Sequence, residues 1–264
     1  AQGGASGQHL AIGPGATIDL GANAQMVGQI SSPNRTALVA AGGTITGTGL
    51  LISADNSGTT SEWGGNIAGT GLYFNKSGGT GANFRNDNAY TGATLLNGGT
   101  LTLIDEGRLS GTSSIEIGLA ALTFSDMGTV ANANRVNDAA AITSRGATIT
   151  FVGRDQWNST ETLGNLTLDR ALTAITVTNG ANGTVRSMEL AFGALTQANY
   201  ATLLHNVAGQ AGSNGRLVFT GGVTLVNGII PWATNAGELA SYVTPSAGND
   251  SGGVGNLNSA GYQG

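Results

Sequence analysis

The sequence predicts an all-β fold built as a parallel β-helix, an elongated rod of stacked coils. Three observations lead to this prediction. Gly accounts for 45 of the 264 residues but follows no Gly-X-Y period, which excludes collagen. Short segments alternate Thr or a charged residue with Leu, Ile, Val or Phe, the pattern of a strand with one buried face. Corners of Gly, Asn and Asp separate these segments and leave no room for crossover helices.

The clearest repeat covers residues 69–103. Strands are predicted there at residues 72–74, 94–96 and 101–103, and Asn97, Gly98 and Gly99 predict a tight corner because these residue types tolerate positive φ. Strands this short are marginal as isolated hairpins. The coils must therefore stack on one another and bury a continuous core.

Similar segments extend in both directions along the chain. Before the repeat, strands are expected at residues 16–20, 36–39, 44–46 and 50–52. After it, strands are expected at residues 115–117, 122–124, 148–151, 166–168, 174–177, 188–190, 217–219 and 223–225. The prediction is a single β-helix domain over residues 1–245, with about a dozen coils of roughly 20 residues and a length of about 60 Å. The Gly-rich tail, residues 246–264, is expected to be disordered or to pair with a neighbouring subunit.

Composition excludes several classes of partner and location. The net charge is −5, only 9% of residues are charged and Lys76 is the sole lysine, so nucleic acid is not an expected partner. No apolar run reaches the length of about 20 residues that a membrane-spanning helix needs. With no cysteine there are no disulfides, and the low Lys and Glu content favours a secreted or surface protein. Residues 1–4 lack the features of a signal peptide, so either a leader was removed or the sequence is an excerpt.

Several strings in residues 69–242 form a pattern found in a known family. They are Gly69-x-Gly71, Lys76-x-Gly78, NAYTGAT at residues 88–94, NGGTL at residues 97–101 and LVNGIIPWAT at residues 225–234. This pattern resembles the autotransporter-associated β-strand repeat, also called the passenger-associated transport repeat, of giant surface proteins of planctomycetes and verrucomicrobia. The resemblance implies a right-handed parallel β-helix outside the cell, in a family of structural or adhesive proteins without cofactors.

Parallel β-helices also carry polysaccharide lyases and hydrolases, so paired carboxylates are the first candidates for catalytic residues. Glycoside hydrolysis needs two carboxyl groups that face each other across the substrate. Asp105 and Glu106 are the only adjacent acidic pair, and their place after a strand predicts a solvated structural corner. Arg154 and Asp155 predict no more than a surface ion pair. The sequence therefore predicts no catalytic residues and no enzyme.

Metal and cofactor sites are not predicted either. His9 and His205 have no second ligand at short spacing, and His205 is predicted to face outward from a strand. Residues 248–253 resemble half of a calcium-binding β-roll repeat, but the motif occurs once.

Thr-x-Thr pairs raise the possibility of an ice-binding ladder. They occur at residues 44 and 46, 100 and 102, 148 and 150, and 176 and 178. A ladder needs one pair in every coil at equal spacing, whereas the gaps between these pairs are 56, 48 and 28 residues. We therefore expect these threonines to be ordinary residues of wet strand faces.

The function predicted first is that of an extracellular structural protein, a β-helical subunit or module of a surface fibre, matrix or adhesin. No capping element is apparent at either end, and unpaired strand edges at the ends of a β-helix favour head-to-tail addition of further copies. The predicted interface residues are Ile18 and Leu20 near the start and Val254 and Leu257 in the tail. The expected partners are other copies of the chain and a surface polysaccharide.

Two alternatives remain open at this point. The first is a carbohydrate-active or carbohydrate-binding β-helix protein, in which Trp63, Tyr73, Trp157 and Trp232 stack on sugar rings. The second is a cleaved autotransporter passenger.

Overall fold

Short strands wind around one axis as a parallel β-solenoid of about eight turns, so the predicted fold class is confirmed. The computed structural model describes residues 8–154, 157–179, 188–206, 215–245 and 252–257. The first three turns contain β1 (His9–Ala11), β2 (Thr17–Asp19), β3 (Ala24–Val27), β4 (Gln29–Ser31), β5 (Thr44–Thr46), β6 (Leu50–Ala54), β7 (Ser61–Trp63), β8 (Asn66–Ile67) and β9 (Tyr73–Ser77). A 3₁₀ turn lies at Pro33–Arg35.

The middle turns contain β10 (Ala82–Phe84), β11 (Thr94–Leu96), β12 (Thr100–Ile104), β13 (Ser114–Gly118), β14 (Ala121–Ser125), β15 (Ala141–Arg145), β16 (Thr148–Gly153), β17 (Ser159–Leu163) and β18 (Leu166–Arg170). The last part contains β19 (Leu172–Asn179), β20 (Met188–Phe192), β21 (Leu195–Gln197), β22 (Thr202–His205), β23 (Arg216–Phe219), β24 (Ala233–Asn235), β25 (Glu238–Val243) and β26 (Gly253–Asn256). No helix in the described ranges has the length and apolar character needed to span a bilayer.

Two long sheets and two shorter ones form the walls of the rod. The ten-stranded sheet has the order β7-β10-β12-β14-β16-β19-β22-β24-β25-β26, and the eight-stranded sheet has the order β3-β6-β9-β11-β13-β15-β18-β21. Two three-stranded sheets have the orders β2-β5-β8 and β17-β20-β23, and β1 pairs with β4. The core lies between these walls, where residues of successive turns stack in register. Leu101, Leu122, Ile149 and Ile175 form one such row, and all four are fully buried.

The predicted corner at residues 97–99 is present between β11 and β12. Gly99 has φ of +63°, and a Cβ there would lie 2.4 Å from the carbonyl oxygen of Thr80 in the preceding turn. Glycine is therefore required both by the backbone conformation and by the close stacking of the coils.

The rod is shorter than the sequence predicted. Phe74 pairs with Thr94, 20 residues later, whereas Leu166 pairs with Leu195, 29 residues later. About eight turns at about 4.8 Å give a length of about 40 Å. The estimate of a dozen coils was wrong because long connections lengthen many turns and because the last strands leave the parallel winding.

Those last strands cap the C-terminal end. Ala236 and Gly237, with φ of 47° and 88°, form a two-residue turn that sends β25 back antiparallel to β24, and β26 then pairs antiparallel to β25. Gly253 lies against β23, since a Cβ there would be 2.6 Å from the carbonyl oxygen of Leu217. The expectation of an uncapped end was wrong here. Residues 252–257 of the predicted tail pair with their own chain, and residues 246–251 and 258–264 lie outside the described residues.

Candidate functional site

The first turn presents strand edges on one side of the rod's end. β1, β2 and β3 pair with β4, β5 and β6, and within the described residues no strand lies on their other side. The Leu50 N–H donates to the Asn23 carbonyl at 3.3 Å. Because backbone groups alternate along a strand, the N–H groups of Ala24 and Met26 face away from β6. Met26 is also 71% exposed, so this edge can accept a further strand.

The predicted interface residues lie at both ends of the rod. Ile18 and Leu20 belong to the first turn, but their side chains pack in or against the core, and Leu20 is only 8% exposed. Val254 is fully buried on β26, and the Leu257 N–H donates to the Leu239 carbonyl at 3.1 Å. The side chains of Ile18, Leu20 and Val254 therefore stabilise their own chain, and the exposed feature of the first turn is its backbone edge.

Charged side chains collect at the corner where strands of the ten-stranded sheet end. Arg85 donates from Nε to Glu62 Oε2 at 2.7 Å and from Nη1 to Asp105 Oδ2 at 2.5 Å. Asp105 Oδ1 accepts from the N–H and hydroxyl of Thr129 at 2.6 and 2.8 Å. Burial by itself would raise the pKa of Asp105, but the hydrogen bonds from Thr129 and Arg85 outweigh it and lower that pKa. The predicted solvated corner was wrong for Asp105, which is only 3% exposed.

Arg135 fills the same corner one turn further along. Its side chain is fully buried and donates from Nη1 to the carbonyls of Asp105 and Gly107 at 3.0 and 3.1 Å. From Nη2 it donates to the Ser125 carbonyl and to Asp126 Oδ1, both at 2.9 Å. The guanidinium therefore donates to backbone carbonyls of two successive turns and joins them.

Glu161 closes this cluster from the next turn. Its carboxyl oxygens accept the Arg135 N–H at 2.9 and 3.1 Å and the Val136 N–H at 3.1 Å. Burial raises the pKa of Glu161 to about 8, against the lowering effect of these hydrogen bonds. Apart from Arg135 Nε, which is buried without a partner among the described residues, the side chains of this cluster bond to one another or to backbone atoms and so join successive turns.

Two further side chains that can carry a positive charge, those of Lys76 and His205, are buried in the interior. Lys76 is 1% exposed, and its Nζ donates to the carbonyls of Ser77, Gly78 and Gly98 at 3.2 to 3.4 Å. Burial lowers its pKa. His205 is fully buried on β22, where it pairs in register with Asn235, so the prediction that it faces outward was wrong.

The four aromatic residues considered for sugar binding do not form one platform. Trp63 is fully buried and donates from Nε1 to Asn88 Oδ1 at 3.2 Å. Trp232 is partly buried against the core. Tyr73 and Trp157 are 49% and 60% exposed, but Tyr73 lies on the eight-stranded sheet and Trp157 precedes β17 of a different wall.

The outer faces of the two long sheets differ in chemistry. On the eight-stranded sheet, Arg145 donates from Nη1 to Glu116 at 2.6 Å and from Nε to Asp169 at 2.7 Å, which gives a charged ladder. On the ten-stranded sheet, four threonines occupy successive turns in one column: Thr102, Thr123, Thr150 and Thr176. As expected, these threonines lie on an outer strand face. Pairs do not recur in every turn, since Thr100 and Thr148 both pair with Ala121, but the column of single threonines was not anticipated.

The sequence contained a signal for this column that spacing alone did not reveal. Each of the four threonines stands between two large apolar residues, as in Leu101-Thr102-Leu103 and Ile149-Thr150-Phe151. Aligning strands on that triplet finds the column, whereas counting residues between Thr-x-Thr pairs does not, because the connecting loops differ in length.

Within the described ranges, no three His, Asp or Glu side chains come together as a metal site. Asp155 and residues 248–251, which carry the predicted ion pair and most of the calcium-like string, lie outside those ranges. No protein-family model, no curated protein and no solved structure matches this chain. The resemblance to the autotransporter-associated repeat therefore stays a prediction.

Proposed function

We propose that this chain is an extracellular structural protein, a β-helical module of a surface fibre, matrix or adhesin that joins end to end with copies of itself. The observation that carries the proposal is the outer edge of β1, β2 and β3 in the first turn, which has no strand partner among the residues that the structure describes. A row of unpaired N–H and C=O groups is a template for another strand. A strand layer from a second copy satisfies these groups and continues the solenoid.

The internal use of charged side chains supports a structural role. Arg85, Asp105, Arg135 and Glu161 hold neighbouring turns together and are at most partly accessible to a substrate. A catalytic acid and base would need to face a common open space. Rods held in this way resist local opening along their length, which suits a load-bearing module.

End-to-end joining brings together unlike ends, and such contacts build filaments when they do not close into a ring. At the C-terminal end the acceptor edge of β24 is covered by β25. These two strands share only the residue pairs Thr234–Leu239 and Asn235–Glu238. The eight-stranded sheet ends at β21, which has no strand on its outer side within the described residues, and the next copy pairs there.

The test is a pair of substitutions at Met26. Its N–H faces away from β6, so Met26→Pro blocks strand addition without removing a hydrogen bond inside the chain. Met26→Thr removes the exposed apolar side chain and keeps the N–H. Light scattering over a wide range of protein concentration should show growing assemblies for the wild type and for Met26→Thr, and a monomer for Met26→Pro.

Two results would overturn the proposal. The first is a wild-type chain that stays monomeric at every concentration and forms no fibres in electron micrographs. The second is a Met26→Pro variant that assembles as the wild type does. Thermal unfolding of each variant verifies that a loss of assembly does not reflect a loss of fold.

A further inference from the structure

The outer face of the ten-stranded sheet holds a regular column of threonines. Thr102 pairs with Thr123, Thr123 with Thr150, and Thr150 with Thr176, with no register shift between the four strands. In the eight-stranded sheet, by contrast, the β15–β18 pair does contain a shift, next to Arg145. Each of the four threonines alternates with buried apolar neighbours, so its side chain points outward.

A second column lies beside this one and makes the face a two-dimensional array of eight residues. It contains Thr100, Ala121, Thr148 and Ala174. On the other side of the threonines Ser125 is only 7% exposed, so the column that contains it is not part of the open face. Neighbouring turns are about 4.8 Å apart, and alternate residues on a strand are about 6.7 Å apart. The array therefore covers about 14 Å by 7 Å from centre to centre.

The chemistry of this array differs from that of the other long face. None of its eight residues is charged, whereas Glu116, Arg145 and Asp169 form the ladder on the eight-stranded sheet. The array ends at Thr102, because the column continues from there to Asn83 and Glu62. The hydroxyls of the four central threonines make no hydrogen bond to protein atoms in the described part of the chain. Their χ1 angles are restricted by β-branching and by neighbours in the adjacent turns. The hydroxyl and methyl groups of these four threonines are therefore held at a fixed repeat and can order water.

We propose that this face binds ice. Liquid water next to equally spaced hydroxyls and methyls adopts a repeating arrangement, and such an arrangement can merge with the oxygen lattice at the surface of an ice crystal. A charged side chain would hold its own hydration shell and interrupt the repeat. The array also lacks the aromatic rings that stack on sugars, which favours ice over a crystalline polysaccharide. The inference is independent of end-to-end assembly, since it concerns the side of the rod and not its ends.

The experiment measures the uptake of the full chain into a slowly growing hemisphere of pure ice, together with crystal growth under the microscope. The wild type should enter the ice and hold crystal growth below the melting point. Thr150→Lys places a long charged side chain at the centre of the array, and its uptake should fall to that of an unrelated protein. Thr143→Lys makes the same change on the eight-stranded face, beside Glu116 in register, and should leave uptake unchanged.

Thr150→Val provides a second variant that keeps the shape and the strand propensity of threonine, in case Thr150→Lys loses its fold. It removes one hydroxyl from the centre of the array and should lower uptake below that of the wild type. Exclusion of the wild type from ice would overturn the proposal, and so would equal uptake of the two lysine variants when both are folded. Binding of the wild type to crystalline cellulose but not to ice, lost in Thr150→Lys, would assign the face to a polysaccharide surface instead.

Discussion

The buried arginine at the charged corner gives the sharpest test of what holds the turns together. Arg135→Met keeps the length and apolar stem of the side chain but removes donors to four backbone carbonyls and to the carboxylate of Asp126. Breaking a buried ion pair by removing one partner costs about 3–5 kcal/mol. For a chain of this size the expected fall in Tm is about 10 °C. Urea unfolding followed by tryptophan fluorescence measures the free energy, since Trp63 is fully buried.

The matched control is Arg145→Met on the exposed ladder. The Arg145 side chain is 40% exposed, and its partner Glu116 is 44% exposed, so solvent screens the pair and the cost should stay below about 1 kcal/mol. Adding Asp126→Asn to Arg135→Met should restore part of the lost stability, because it removes the uncompensated buried charge. Equal losses for the two single variants would refute the structural role assigned to Arg135.

Three further outcomes are expected. The folded-state pKa of Glu161 is raised to about 8 from 4.5, so its contribution to stability is full below about pH 4.5 and is lost as the pH rises through 8. The urea midpoint of the wild type should therefore fall over this pH range, and the midpoint of Glu161→Gln should not. The folded-state pKa of His205 is lowered to about 4 from 6.5 by burial, so about 3 kcal/mol of stability present above pH 6.5 is lost as the pH falls through 4. His205→Leu should remove this loss of stability in acid. If its profile of stability against pH were the same as that of the wild type, the burial of the His205 ring would be contradicted. Leu119 has φ of 52° and is 80% exposed, so Leu119→Gly should raise the free energy of unfolding by about 0.5–1 kcal/mol, measured in urea.

The solenoid itself could be predicted because its causes are local. Alternating apolar residues define strands with one buried face, and Gly99 stands where a positive φ and a close contact with the preceding turn exclude other residues. Residues 69–103 have both the alternating strands and the glycine corner, and their connecting loops are short. The strands β9 to β12 lie in this segment, and β12 ends one residue beyond it.

The charged corner could not be predicted in the same way. Asp105 is buried because Thr129 of the following turn closes over it, a contact across 24 residues. Arg135 reaches carbonyls that lie 28 and 30 residues earlier in the chain. Nothing in the local sequence distinguishes these residues from charged residues of an exposed loop.

The sequence by itself determined the strand period, the corners and therefore the parallel rod. The tertiary structure decided register. In Thr202-Leu203-Leu204-His205 the two adjacent leucines do not show which alternate residues of the strand face the core. Pairing with β19 places Leu203 and His205 inside. Register likewise brings four threonines into one column although their separations in sequence differ. Loop lengths vary at little cost to the stacked strands, so only the folded chain reveals which residues lie side by side.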